Sequence, residues 1–193
     1  GSGVAVEASA DALNRGAAGD GSPADSGGSP RVNLGAGDMY SVVMRESGSL
    51  RASVVHAESA GGDVEVAGRV RAVRGEAGRG RRDGGDVRLT GERVHVQRAE
   101  IDASGEGRRA RGGRVEIGGG FQGRGDLSNA DRVAIDRDAL VRADGSDGGR
   151  GGEVAVWSDE ATAMLGRIGA RGGDGKVEVS SAGRVAMNGE VDV

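Results

Sequence analysis

GGEVAVWSDEATAMLGRIGARGG, residues 151–173, is the stretch whose reading decides the fold. Glycine pairs open and close it, and Val154-Ala155-Val156 alternates before Trp157, the only tryptophan of the chain. β-Branched residues at a period of two mark a short strand with one buried face. The stretch Asp159–Leu165 could form a helical turn, but Gly166 follows at once and leaves no room for more. A second apolar element, Arg167-Ile168-Gly169-Ala170, then runs into Gly172-Gly173. Strands this short do not stand alone. The reading therefore depends on whether the unit recurs.

It does recur. Val64-Glu65-Val66, Val87-Arg88-Leu89, Val94-His95-Val96, Val115-Glu116-Ile117, Val133-Ala134-Ile135, Val177-Glu178-Val179 and Val185-Ala186-Met187 repeat the same triplet. Glycine precedes most of them, and an apolar residue, a spacer and an alanine follow, as in SLRAS, RVRAV, EIDASG, LVRADG and RIGARGG. Taking Val64, Val87, Val115, Val154 and Val177 as unit starts gives a basic period of about 23 residues with insertions, the spacing of a solenoid. Short strands stacked in parallel at about 4.8 Å enclose a thin core, so few apolar residues suffice. Glycine suits the corners. The expected fold is all-β, a parallel β-helix of about seven to eight turns, roughly 35–40 Å long. Regular stacking is expected from about Arg31 to Val193, with both ends left as open sheet edges. Residues 1–30 hold both prolines and read as an irregular lead-in or linker, with one helix candidate at 10–18.

Composition narrows the function. Forty glycines in 193 residues bring the chain near the composition of disordered segments, yet its valines are placed rather than scattered and its net charge is only −4. Arginine alternates with Asp and Glu, Lys176 is the sole lysine, and no basic stripe with stacking aromatics appears, which argues against a nucleic-acid partner. With no cysteine there are no disulfides, cysteine-ligated zinc or thiol nucleophile. No apolar run approaches the roughly 20 residues that span a bilayer as a helix, and no charged-then-apolar leader follows the opening Gly-Ser-Gly.

Over residues 107–193 an ordered set of motifs appears: Gly118 to Gly123 (GGGFQG), Asn129-Ala130, Val154 to Asp159 (VAVWSD), Ile168 to Gly173 (IGARGG) and Val177 to Ser180 (VEVS). In this order they resemble a segment of the filamentous haemagglutinin-like exoproteins, the large passengers of bacterial two-partner secretion; GAGDMYSVVMRESGSLRAS (35–53) is similar to the repeat upstream. The resemblance implies a right-handed β-helix and a parent protein moved by a dedicated outer-membrane transporter to the bacterial surface or beyond, where it serves adhesion. It departs from the family pattern where Met164 or Leu165 stands for an aromatic in the Thr-containing bend, and in a short loop between ARGG and VEVS. The Asn-Pro-rich signature of the secretion domain is absent. The function expected is thus a non-catalytic stalk or scaffold segment of a secreted or surface-displayed adhesin, with no cofactor. The alternative is a module that itself grips a host-cell receptor or glycan.

The remaining constellations are weighed against that reading. Arg124-Gly125-Asp126, in QGRGDLSNA, is the candidate receptor-binding tripeptide, offering a carboxylate to a receptor metal and a guanidinium to an acidic group. An Arg-, Gly- and Asp-rich chain also supplies such a tripeptide by chance. GDGSPADSGG, ADGSDGGRGG and RGGDGKVEV could suggest calcium, but they lack the tandem register that such sites need, and Asp in a turn bonds its own backbone. A β-helix polysaccharide-active enzyme is a distant alternative, with Asp136, Asp138, Asp144 and Asp147 as its only candidates and no nucleophile-and-base spacing. Trp157 is expected to cover a corner near Thr162 to Leu165.

Overall fold

The structure, a computed structural model, describes residues 4–5, 31–36, 42–44, 49–75 and 80–193. Apart from Val4–Ala5, the expected lead-in and its helix candidate lie outside the described residues. Those described are all-β, with no α-helix among them.

Two sheets, parallel throughout in their pairing, hold all the described strands except a small antiparallel pair, Arg81–Arg82 with Glu106–Gly107. The six-stranded sheet stacks Arg31–Ala36, Val54–Ser59, Asp86–Thr90, Arg114–Ile117, Glu153–Val156 and Lys176–Val179, one above the next. The eleven-stranded sheet consists of two adjoining runs. The first run contains Val42–Met44, Arg132–Ile135, Ala161–Met164 and Arg184–Met187, with Val4–Ala5 paired to Val42–Val43. The second contains Ser49–Ala52, Leu140–Arg142, Arg167–Gly169 and Glu190–Asp192. Asp63–Ala72 and Arg93–Asp102 pass through both runs, bending at a register shift between Val66 and Gly68. Along the chain the order is constant: one strand in the six-stranded sheet, then one in each run of the longer sheet.

In-register parallel pairing sets like position over like position, and the core follows from that. Val55, Val87, Val115, Val154 and Val177 form one column; Ala57, Leu89, Ile117, Val156 and Val179 form the next. The longer sheet supplies Val66, Val96, Ile135, Met164 and Met187, and then Leu50, Val70, Ile101, Val141, Ile168 and Val191. Between the ends of these columns the side chains are buried. Val55, rather than Val64, lies beneath Val87, so the expected first unit start is one face out of place. Val64 belongs to the longer sheet, under Val94, because residues 61–62 turn the chain between sheets rather than begin a unit. Likewise Ala161–Met164 is a strand and not a helical turn, since its alternating Thr162 and Met164 continue columns already set by Val133 and Ile135.

The glycine pairs mark where consecutive segments nearly touch. A β-carbon on Gly112 would collide with the Ala143 carbonyl oxygen and the Gly152 nitrogen, and the Gly112 N–H donates to the Arg150 carbonyl at 2.9 Å. At the first described edge of the stack the apolar residues are covered, Leu50 being 1% exposed; at the last, Met187 is 54% exposed. Outside, ladders of opposite charge replace the apolar columns: Arg71 meets Asp102 at 2.6 Å and Glu106 at 2.7 Å, and Arg142 meets Glu100 at 2.6 Å.

Leu89→Ala is expected to lower unfolding stability by about 2–5 kcal/mol, because the stacked neighbours above and below cannot close the void. Gly112→Val should cost at least as much, through backbone collision rather than a cavity. Chemical denaturation of the two variants checks both; a Leu89→Ala variant with wild-type stability would contradict the column description.

Candidate functional site

The most elaborate surface feature is the loop 118–131, which joins Arg114–Ile117 to Arg132–Ile135. It carries the Arg-Gly-Asp tripeptide. The loop turns through Phe121–Gly123, where Gln122 takes a left-handed conformation (φ 56°, ψ 29°), and continues through an extended Arg124. It lies across the outer face of the six-stranded sheet, over the outward column formed by Arg88, Glu116, Ala155 and Glu178. The Gln122 N–H donates to both Glu178 carboxylate oxygens at 3.1 Å. Ala155 points outward from its strand and is nevertheless fully buried.

A clasp of motif residues pins this loop. The Asp159 Oδ1 accepts from the Trp157 indole N–H at 3.0 Å and from the Asn129 amide at 3.1 Å, and the same amide donates to the Gly123 carbonyl at 3.3 Å. The indole ring occupies the space that a side chain on Gly123 would take. Gly123 has φ 64°, so two separate constraints exclude a β-carbon there. Backbone bonds complete the closure: Ala130 N–H to the Gly118 carbonyl at 2.6 Å, and Asp159 N–H to the Ala130 carbonyl at 2.8 Å. Trp157 therefore packs on the loop of the preceding segment, and not over Thr162 to Leu165 as expected. The physical reason is that Thr162 and Met164 face the core, whereas the glycines at 119 and 123 leave a floor open to a ring.

Arg124, Gly125 and Asp126 form the outermost part of the loop, and all three are exposed. The Asp126 side chain is 82% exposed and faces Arg88, Oδ2 to Nη1 at 3.4 Å. Arg88 also faces Glu116, Nε to Oε2 at 3.1 Å, without hydrogen-bond alignment. Glu116 is 7% exposed under the loop. Burial pushes its carboxyl above the usual glutamate range; Arg88 and Arg114 pull the other way without cancelling the effect, and Asp126 and Asp86 add to it.

The acidic candidates do not converge. Asp136 bonds His95 at 2.9 Å, Asp144 holds the Arg171 backbone N–H and guanidinium at 2.8 Å each, and Asp147 faces Arg108 at 3.9 Å. In the two described Asp- and Gly-rich turns, Asp144, Asp147 and Asp174 are each drawn to an arginine, with Asp174 at 2.6 Å from Arg150. The third, at 19–28, lies outside the described residues. Among the described residues no three His, Asp or Glu side chains gather so as to hold a metal.

One gathering escapes sequence reasoning. Register brings Arg74, Arg111, Arg114, Arg150 and Lys176 to a trough of about 750 Å³ floored by glycines such as Gly112, Gly113 and Gly152. In sequence these cations look evenly dispersed. The stacking alone aligns them, and the signal available beforehand was an Arg beside several of the glycine pairs, as with Arg111, Arg114 and Arg150. Acidic partners temper the charge: Arg114–Glu153 and Arg150–Asp174 are both 2.6 Å apart.

Asp159→Ala is expected to cost about 1–3 kcal/mol and to speed tryptic cleavage after Arg124, because two donors lose one acceptor. Unchanged cleavage would remove the clasp from the account. Glu116 holds its proton more tightly when folded than when unfolded, so its favourable contribution is complete at pH below the ordinary glutamate range and is lost as pH rises through its folded value. Glu116→Gln should therefore match wild type in acid and melt higher near neutral pH, by on the order of 1 kcal/mol; a parallel shift at both pH values would contradict this.

Comparison with family models and with curated proteins finds no match to this chain.

Proposed function

We propose that the chain is a closed, right-handed parallel β-helix that serves as a non-catalytic stalk or scaffold segment of a large bacterial adhesin of the two-partner secretion type, displayed at or released from the cell surface. The observation that carries this reading is the constant order of strands between the sheets, with like residue stacked on like. A parallel strand reached through a crossover is right-handed in about 98% of sheets, which supports the handedness. Winding of this kind, at about seven to eight turns, makes a rod of roughly 35–40 Å. The work of such a segment is geometric: it holds a binding region at a distance and offers its outer loops to solvent. The transporter that exports the parent protein would be its first partner.

A second reading, in which this segment grips a host receptor or glycan itself, is favoured by the exposed Arg124-Gly125-Asp126 on a loop held firmly at both feet.

Labelled chain applied to host cells separates the two. A stalk is expected to show no saturable binding, and Asp126→Ala should change nothing. Saturable binding would overturn the stalk reading, and its loss in Asp126→Ala would assign the contact to the tripeptide. A compact, isotropic particle in small-angle scattering would overturn the rod.

A further inference from the structure

We propose that Asn188-Gly189 is a site of spontaneous covalent modification, where the Asn188 amide is lost through a cyclic imide and the strand Glu190–Asp192 is then released from its ladder. The pair is the only Asn-Gly in the sequence. It forms the corner between Arg184–Met187 and Glu190–Asp192.

The chemistry needs the backbone nitrogen after an asparagine to reach that asparagine's side-chain carbonyl carbon, and a β-carbon on the following residue obstructs the approach. Packing has made this residue glycine for a different reason. A β-carbon at 189 would collide with the Gly166 carbonyl oxygen and the Met164 sulfur. The nucleophile is also free. Asn188 N–H donates to the Met164 carbonyl at 2.9 Å and Glu190 N–H to the Gly166 carbonyl at 3.0 Å, whereas the Gly189 N–H between them has no partner among the described residues. Asn188 is exposed, so water can enter and ammonia can leave.

The Gly189 nitrogen attacks Asn188 Cγ and gives up its proton, the side-chain nitrogen departs as ammonia, and a five-membered imide closes. Water then opens either carbonyl. One opening yields aspartate; the other yields isoaspartate, in which the chain runs through the former side chain and is one atom longer. Water is the only co-reactant, and no electrons are transferred. At the same corner in the preceding segments the chain carries Gln97-Arg98, Asp136-Arg137 and Leu165-Gly166, none of which can lose an amide this way so readily. The lability belongs to this one rung.

The extra backbone atom falls between two ladder bonds, those of Asn188 and Glu190, that are matched to a normal chain length. Both cannot persist. The pairing of Glu190–Asp192 with Arg167–Gly169 is the weaker to hold, since it is three residues long against four for Arg184–Met187 on Ala161–Met164.

The test incubates the whole folded chain at mildly alkaline pH and physiological temperature, beside a free peptide of residues 184–193. Peptide mapping by mass spectrometry and isoaspartyl methyltransferase labelling follow the conversion, and hydrogen exchange follows the strand. Conversion confined to Asn188, within about tenfold of the peptide's rate, abolished in Asn188→Gln and accompanied by lost protection at 190–192, is expected. A folded chain that keeps its amide while the peptide converts overturns the site. Isoaspartate with protection intact at 190–192 overturns the release.

Discussion

The two main sheets depend on one constraint: adjacent segments pair in parallel and hold their register, apart from the single shift between Val66 and Gly68. A displacement by one residue would send every valine of a strand outward and every arginine or glutamate inward. The columns of Val55, Val87, Val115, Val154 and Val177 record how consistently that displacement is refused. Because the pairing is parallel, each side chain rests on its own kind, and one small apolar residue per position is enough to exclude water. A chain with one Trp, one Tyr and one Phe can therefore bury a continuous interior.

The same rule governs the charges. On the outer faces a like-over-like ladder would stack arginine on arginine, which costs energy. At several positions opposite charges alternate between rungs instead, as with Arg71, Asp102 and Arg142, or Arg88 and Glu116, although Arg51 lies beside Arg71 and Arg93 beside Arg132. Exposed pairs contribute little individually. Their value here lies in register, because a slipped strand would set like charges together. The arrangement also explains why the cations gathered along the glycine-floored trough remain largely compensated.

Much of the fold was legible in the sequence, since period-two valines and glycine pairs are local signals. The second-element alanines and the inward pair Val154 and Val156 read correctly for that reason. What misled was choice of face: Val64 resembles the unit starts in its flanking glycines, and only pairing partners distinguish it. The strand at Ala161–Met164 was disguised by alanine, which favours helix in isolation but is accepted wherever a column needs little volume. For the site, the exposed tripeptide was visible as a motif. Its setting was not, because the partners Arg88, Glu178 and Asp159 lie 38, 56 and 30 residues from Asp126, Gln122 and Asn129 respectively. Family-like spacing flagged Asn129, Trp157 and Asp159 individually without indicating that they meet.

The loop 118–131 leaves its sheet and returns to the next strand while the ladders on both sides continue undisturbed. Its length is consequently a free variable. Residues can be inserted, deleted or exchanged between Gly123 and Ser128, outside the clasp of Gly123, Asn129, Trp157 and Asp159, at the cost of closing a loop, which grows only slowly with length. In evolutionary terms the rungs act as a fixed chassis and the excursion as an editable cassette. A lineage under pressure to present a new surface could rewrite those few positions without renegotiating the interior.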